Sequence, residues 1–158
     1  MNWSIAKVDP HAHDVRELIG RHMRFTAAAT PADFAFALDH QELVDPAITL
    51  FGMRADGALL AVGALKHLDD AHAELKSMHT AQEARGRGLG RRMLDHLLAV
   101  ARARGYERVS LETGSTPEFA AARALYLSSG FRPCSPFGGY RASDWNTFMT
   151  LELGSGRG

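Results

Sequence analysis

The chain has one cysteine, Cys134, so no disulfide can close within it, and packing and hydrogen bonding must hold the fold. That usage suits a reducing compartment, and a cytoplasmic protein is expected. No apolar run approaches the ~18 residues of a membrane span, and the first residues lack the apolar core of a signal peptide, so no membrane partner is expected. The net charge is zero, with 18 basic and 18 acidic side chains. The basic excess typical of a nucleic-acid binder is missing, and no nucleic-acid partner is expected. Lysine is scarce: Lys7, Lys66 and Lys76 stand against fifteen arginines. The histidines are scattered, with no H-E-x-x-H or Cys/His spacing, and no metal is expected. Neither an internal repeat nor an interdomain linker is present.

What is there suits one globular domain over residues 1–153, followed by a Gly-rich tail at 154–158 that reads as a frayed end. Charge is unevenly spread. Residues 1–80 hold 7 Lys/Arg and 11 Asp/Glu, a net of −4; residues 81–158 hold 11 and 7, a net of +4. A basic half can hold an anionic ligand while an acidic half attracts a cation. Chance scatter of surface charge is the plainer reading.

The hydrophobic pattern predicts a strand at Trp3–Val8 and a helix from Asp14 to about Ala29, with Val15, Leu18, Ile19 and Met23 on one face. Pro31 interrupts, and a second helix is expected over Ala32–Leu43. Ile48–Arg54 and Leu59–Leu68 flank the turn dipeptide Asp56-Gly57 as a hairpin, and Ala73–Thr80 is a further strand. Leu89, Met93, Leu94, Leu97, Leu98 and Ala101 form one helical stripe that Gly105 ends. Arg108–Thr113 reads as a strand. Ser115-Thr116-Pro117-Glu118 then opens a helix with a hydroxyl cap and first-turn proline, and Gly130 closes it. Phe131–Cys134 and Thr147–Leu153 are the last strands. This order is that of an α/β domain with a mixed sheet.

The chemistry concentrates in Arg85-Gly86-Arg87-Gly88-Leu89-Gly90, between a strand and the strongest helix. Alternating glycines let the backbone approach a ligand and turn amides toward one point, and the first amides of a helix favour a phosphate. Arg85, Arg87, Arg91 and Arg92 add fixed positive charge. A nucleotide P-loop requires Gly-Lys-Ser/Thr, which the segment lacks. A dinucleotide fingerprint requires G-x-G-x-x-G after the first strand, whereas this run is G-x-G-x-G after the fourth. The remaining pattern is R-x-x-G-x-G, met by Arg85, Gly88 and Gly90. Here the chain resembles the GNAT N-acetyltransferases. The stretch A-x-x-L-Y-x-x-x-G-F, met by Ala122, Leu125, Tyr126, Gly130 and Phe131, resembles that family's second cofactor-contacting segment. The likeness covers residues 73–131 well and the flanks by element order. LKSMHT, SLETGS and Pro136-Phe137-x-x-Tyr140 also look like a subgroup of small bacterial members, some linked to indole-acetic-acid metabolism.

The resemblance implies a mixed, mostly antiparallel sheet of about seven strands, flanked by four helices, with the fourth and fifth strands splayed. It implies acetyl-CoA as donor and a small-molecule primary amine as acceptor, attacking directly in a ternary complex. Ser77, Met78, His79 and Thr80 would line the pantetheine arm, with a backbone amide near Met78 stabilising the oxyanion. Arg85, Gly86, Arg87, Gly88, Leu89, Gly90 and Arg91 would wrap the pyrophosphate. Ala122 and Tyr126 would face the cofactor, Tyr126 near the sulfur as general acid. Phe119 stands where many members carry a cofactor-contacting Asn, so that hydrogen bond is lost or made by another group. His22, Phe25, Phe137 and Tyr140 lie where the family's acceptor contacts fall; ordinary packing is their alternative reading.

An alkylammonium, with a pKa near ~10, must lose a proton before it attacks. Glu74 is the first candidate base and Glu112, on the adjacent strand, its rival. Simple alternation places Glu74, Lys76 and Met78 on one face, which a bulge would alter. His79 is a possible relay or a packed ring. A non-catalytic CoA-binding module on the same fold is the alternative function, and an exposed edge strand near the C-terminus raises a homodimer.

Overall fold

The computed structural model describes residues 3–31 and 42–154. Strands β1 (Trp3–Lys7), β2 (Ile48–Ala55), β3 (Ala58–Asp69), β4 (His72–Thr80), β5 (Arg108–Gly114), β6 (Arg132–Pro133) and β7 (Asn146–Glu152) form one sheet in the order β1-β2-β3-β4-β5-β7-β6. All neighbours run antiparallel except β4 and β5. The helices among the described residues are α1 (His13–Ala29), α2 (Leu89–Ala103) and α3 (Ala120–Ser128). The helix expected over Ala32–Leu43 lies almost wholly outside the described residues; its end, Glu42–Val44, is a 3₁₀ turn.

The predicted stripe of α2 is its buried face: Leu89, Met93, Leu94, Leu97, Leu98 and Ala101 enter the core. Each such large side chain contributes roughly 1.5–3 kcal/mol. Val15, Leu18 and Ile19 anchor α1 in the same way. The two helices pack on opposite faces of the sheet. A Cβ at Gly63 would meet Leu97 and Met93 of α2 at 2.9 Å, while the neighbouring residue Val62 pairs with His79, whose ring meets His22 of α1.

Two expectations change. The segment after β5 is a 3₁₀ turn, Pro117–Phe119, leading into α3, and Thr116 makes no side-chain cap bond. Ser115 Oγ is bonded instead to Thr147 Oγ1 at 2.7 Å. The carbonyls of Gly114 and Thr116 accept from Arg123 Nη1 at 2.7 and 2.8 Å, so a guanidinium ties this corner down. The strand expected at Phe131–Cys134 shrinks to β6: the Phe131 amide is taken by Tyr126 O at the end of α3, although Cys134 N still bonds Phe148 O at 2.9 Å.

Two irregularities make the site. The ladder between β4 and β5 runs from His72↔Arg108 to Leu75↔Leu111 and stops, although β4 continues to Thr80 and β5 to Gly114. The strands splay, and among the described residues the β5-facing edge of β4 from Lys76 onward has no strand partner. Across β3, His79 pairs with Val62 and Lys76 with Ala64, so Ser77 and Met78 together oppose Gly63. This is a β-bulge, with Ser77 at φ 56. A Cβ at Gly63 would also lie 2.9 Å from Met78 Sδ, so a glycine gives the bulge its seat.

Candidate active site

The bulge resets the alternation of β4. Glu74 and Lys76 pair with Lys66 and Ala64, and His79 pairs with Val62, so Glu74, Lys76 and His79 share one face. Met78 turns to the α2 side. Beside this face the splay opens a cavity of about 580 Å³. Its lining takes in Glu74, Glu112 and Tyr126; Ser77 to Thr80; Arg85, Gly86 and Gly88 to Arg91; and Phe119 and Ala122. His22 and Phe25 of α1 close one wall. Of the residues expected to form a site, Arg87, Phe137 and Tyr140 fall outside the lining.

At one end stands the glycine loop. Gly86 and Gly88 take φ 82 and 75, and a Cβ on either would meet nothing within 4 Å, so conformation and open space both favour glycine there. Gly90 differs: its Cβ would touch Leu125 at 3.3 Å, so it lets α2 approach α3. The first intrahelical bond of α2 runs from Arg92 N to Gly88 O at 3.2 Å, and no side chain caps the amides before it. Arg85 lies over the Phe25 ring, 5.9 Å from its centroid. Arg91 bonds Ser128 and Ser129 at the end of α3.

A polar cluster holds the other end. Glu74 Oε2 accepts from Lys76 Nζ at 3.0 Å and from the Tyr140 hydroxyl at 2.5 Å, and Lys76 Nζ also donates to Tyr140. The side chains of Lys76 and Glu74 are 8% and 3% exposed, so this is a buried ion pair bridged by a phenol. Burial, then the charge of Glu74, pushes the Tyr140 hydroxyl far above the usual tyrosine value. Phe137 packs edge-on against Tyr140, centroids 5.4 Å apart. These two residues thus brace Glu74 from behind. Glu112 accepts from Asn146 Nδ2 at 2.5 Å. Desolvation raises its pKa, against the lowering effects of the Asn146 bond and of Lys76.

Between the two ends, His22 Nδ1 and His79 Nδ1 lie 3.2 Å apart and share one hydrogen bond. Burial, with the neighbouring ring, lowers His22 to about 3; burial, with Arg85 and Arg21, lowers His79 to about 4. Both are neutral at neutral pH. Tyr126 is 6% exposed, and desolvation lifts its pKa well above the ordinary tyrosine value.

Several functional-looking residues escaped the sequence. Lys76 carried a signal, its position two residues from Glu74 on a strand. Trp145, Thr26 and Thr30 line the cavity, and Asn146 and Arg123 brace it, from segments with no local motif.

The donor set suits an acetyl-CoA molecule: unpaired strand edge, open glycine loop, two arginines, and a buried Ser77 Oγ with no hydrogen-bond partner among the described residues. The acetyltransferase (GNAT) family model matches residues 13–131. An uncharacterized N-acetyltransferase of Escherichia coli strain K12, YedL, is 40% identical over 148 residues, 93% of each chain. An IAA acetyltransferase of Azospirillum brasilense is 34% identical over 154 residues, 96% of this chain and 99% of its own. A GNAT family acetyltransferase from Elizabethkingia anophelis, solved with acetyl-CoA bound, superposes with a TM-score of 0.70 at 18% identity. It covers 96% of this chain and 99% of its own, and shows the shared fold.

Proposed function

The chain belongs to the acetyltransferase (GNAT) family and is an acetyl-CoA-dependent N-acyltransferase, and on that premise we propose that it acetylates a small primary amine, with Glu112 as general base and Tyr126 as general acid. The carrying observation is the contrast between the two carboxylates. Glu74 is buried and its Oε2 is gripped by an ammonium and a phenol. Glu112 is half-buried, lines the same cavity, and is raised above the usual carboxylate range. A raised carboxylate is the better base for an amine at neutral pH.

Acetyl-CoA supplies an electrophilic thioester carbonyl and a thiol leaving group. Ser77 to Thr80 offer the unpaired strand edge along which its pantetheine arm would lie, and the 85–91 loop would take the pyrophosphate. Glu112 removes a proton from the acceptor's ammonium. A backbone amide near Met78, at the bulge, donates toward the carbonyl oxygen. Tyr126 keeps its proton in its buried setting and delivers it to the departing sulfur. Glu74, held by Lys76 and Tyr140, positions the floor on which the amine sits.

Calorimetric titration with acetyl-CoA, ATP and NAD, followed by thiol release with an amine panel, tests this reading. Micromolar binding of acetyl-CoA alone and amine-dependent thiol release are expected. Tyr126→Phe should keep the titration and lower turnover by about ten-fold or more. Binding without release for any amine would leave a CoA-binding module, and unchanged turnover in Tyr126→Phe would remove that residue from the acid role.

A further inference from the structure

We propose that the acceptor is a monocationic amine with no carboxylate on the carbon that bears the nitrogen: an arylalkylamine, or the amide or ester of an amino acid, rather than a free amino acid. This rests on the amine-acceptor reading above. It comes from how charge is placed along the cavity.

The lining carries cations and anions at opposite ends. Arg85 and Arg91 stand at the glycine loop; Glu74, Lys76 and Glu112 stand at the other end, with Glu118 on the exposed rim. Two carboxylates against one ammonium leave the acceptor floor at −1. An incoming ammonium cancels that charge. A carboxylate bound beside it would restore the −1 next to the buried Glu74, in a setting that already disfavours ionisation of Glu112.

A carboxylate would need a cation, and those nearby are engaged. Lys76 Nζ gives hydrogen bonds to Glu74 and Tyr140. Arg123 Nη1 bonds two backbone carbonyls, and Arg21 bonds Glu17 and Glu83. Arg85 follows the end of β4, and Glu74 to Thr80 alone spans roughly 20 Å at about 3.3 Å per residue. Its side chain lies over the Phe25 ring and donates to the Thr80 carbonyl, so it too is engaged, on the loop side of His79. His22 and His79 share their bond as neutral rings and add no charge. Residues 32–41 contain no Lys or Arg in sequence.

The walls suit an uncharged, apolar body. Phe25 meets Phe119 edge-on across the cleft at 5.2 Å, and Trp145 lines the same cavity.

The test uses matched acceptors with the native enzyme: phenylalanine, phenylalaninamide and phenethylamine, and the same set built on alanine. Thiol release from acetyl-CoA gives kcat/KM, and calorimetry of each compound against the protein–CoA complex gives binding without turnover. The amide and the amine should exceed the free acid by about ten-fold or more in both readouts. Free acids that bind and react as well as the amides would overturn the proposal and leave amine acetylation standing. If acetyl-CoA titrates but no compound binds or reacts, the amine-acceptor reading fails and the substrate class with it.

Discussion

A carboxylate held by one amide donor inside a low-dielectric pocket carries its charge at a cost, and Glu112 is so placed. Its native pKa exceeds its unfolded one, so the native state binds the proton more tightly, and stability falls as pH rises from the unfolded pKa through the raised one. Above that window the ionised side chain, the base proposed above, weakens the fold. Glu112→Gln should therefore lower kcat/KM by about 100-fold and remove the acidic limb of its pH profile, a limb lying above the usual carboxylate range. At neutral pH the same variant should melt higher than the native protein. A profile that keeps its limb would move the base role elsewhere. Glu112, Tyr126 and the glycine loop were legible because each belongs to a local pattern. Lys76 acts through Tyr140, 64 positions away, and Arg123 through the carbonyls of Gly114 and Thr116, and no local periodicity reports such contacts.

The elements were more legible than their irregularities. Stripes and turn dipeptides place α1, α2 and the β2–β3 hairpin within a residue or two, because burial of one face and the positive φ of a turn leave direct marks. The bulge at Ser77–Met78 left none, since it depends on Gly63 across the ladder and on α2 behind it. It still decides which residues of β4 share the face of Glu74. The corner after β5 has a similar long-range cause. A Cβ on Gly114 would come within 2.1 Å of the Phe119 ring, which packs on Phe25 over the cleft. Gly114→Ala should then cost about 1–3 kcal/mol by chemical denaturation, as overpacking does. In a Phe119→Ala background the same change should cost clearly less, because the clash is gone. Equal costs in both backgrounds would show that the glycine serves its own backbone rather than the ring.

At the scale of the molecule, the sheet falls into an N-terminal group, β1 to β4, and a C-terminal group, β5, β7 and β6. Only the four pairs from His72↔Arg108 to Leu75↔Leu111 join them as strands. The charge asymmetry of the sequence is resolved along the cavity, with Arg85 and Arg91 at the loop and Glu74 and Glu112 at the floor. A ligand laid in the splay, with phosphates at the loop and its arm on the free edge of β4, joins two groups that the ladder joins weakly. It binds the folded chain and not the unfolded one, so linkage requires stabilisation: about 2.7 kcal/mol at a hundred-fold excess over Kd. For a chain of this size each kcal/mol shifts Tm by about 2–4 °C, so acetyl-CoA should raise Tm by about 5–10 °C. ATP and NAD should raise it little. The shift should shrink with added salt, since exposed arginines supply part of the attraction. Gly88→Asp, which sets bulk and negative charge at the start of α2, should abolish the shift while leaving the ligand-free Tm close to native, give or take about 1–2 kcal/mol of backbone strain. A full shift in that variant would place the phosphates elsewhere and detach the glycine loop from the donor.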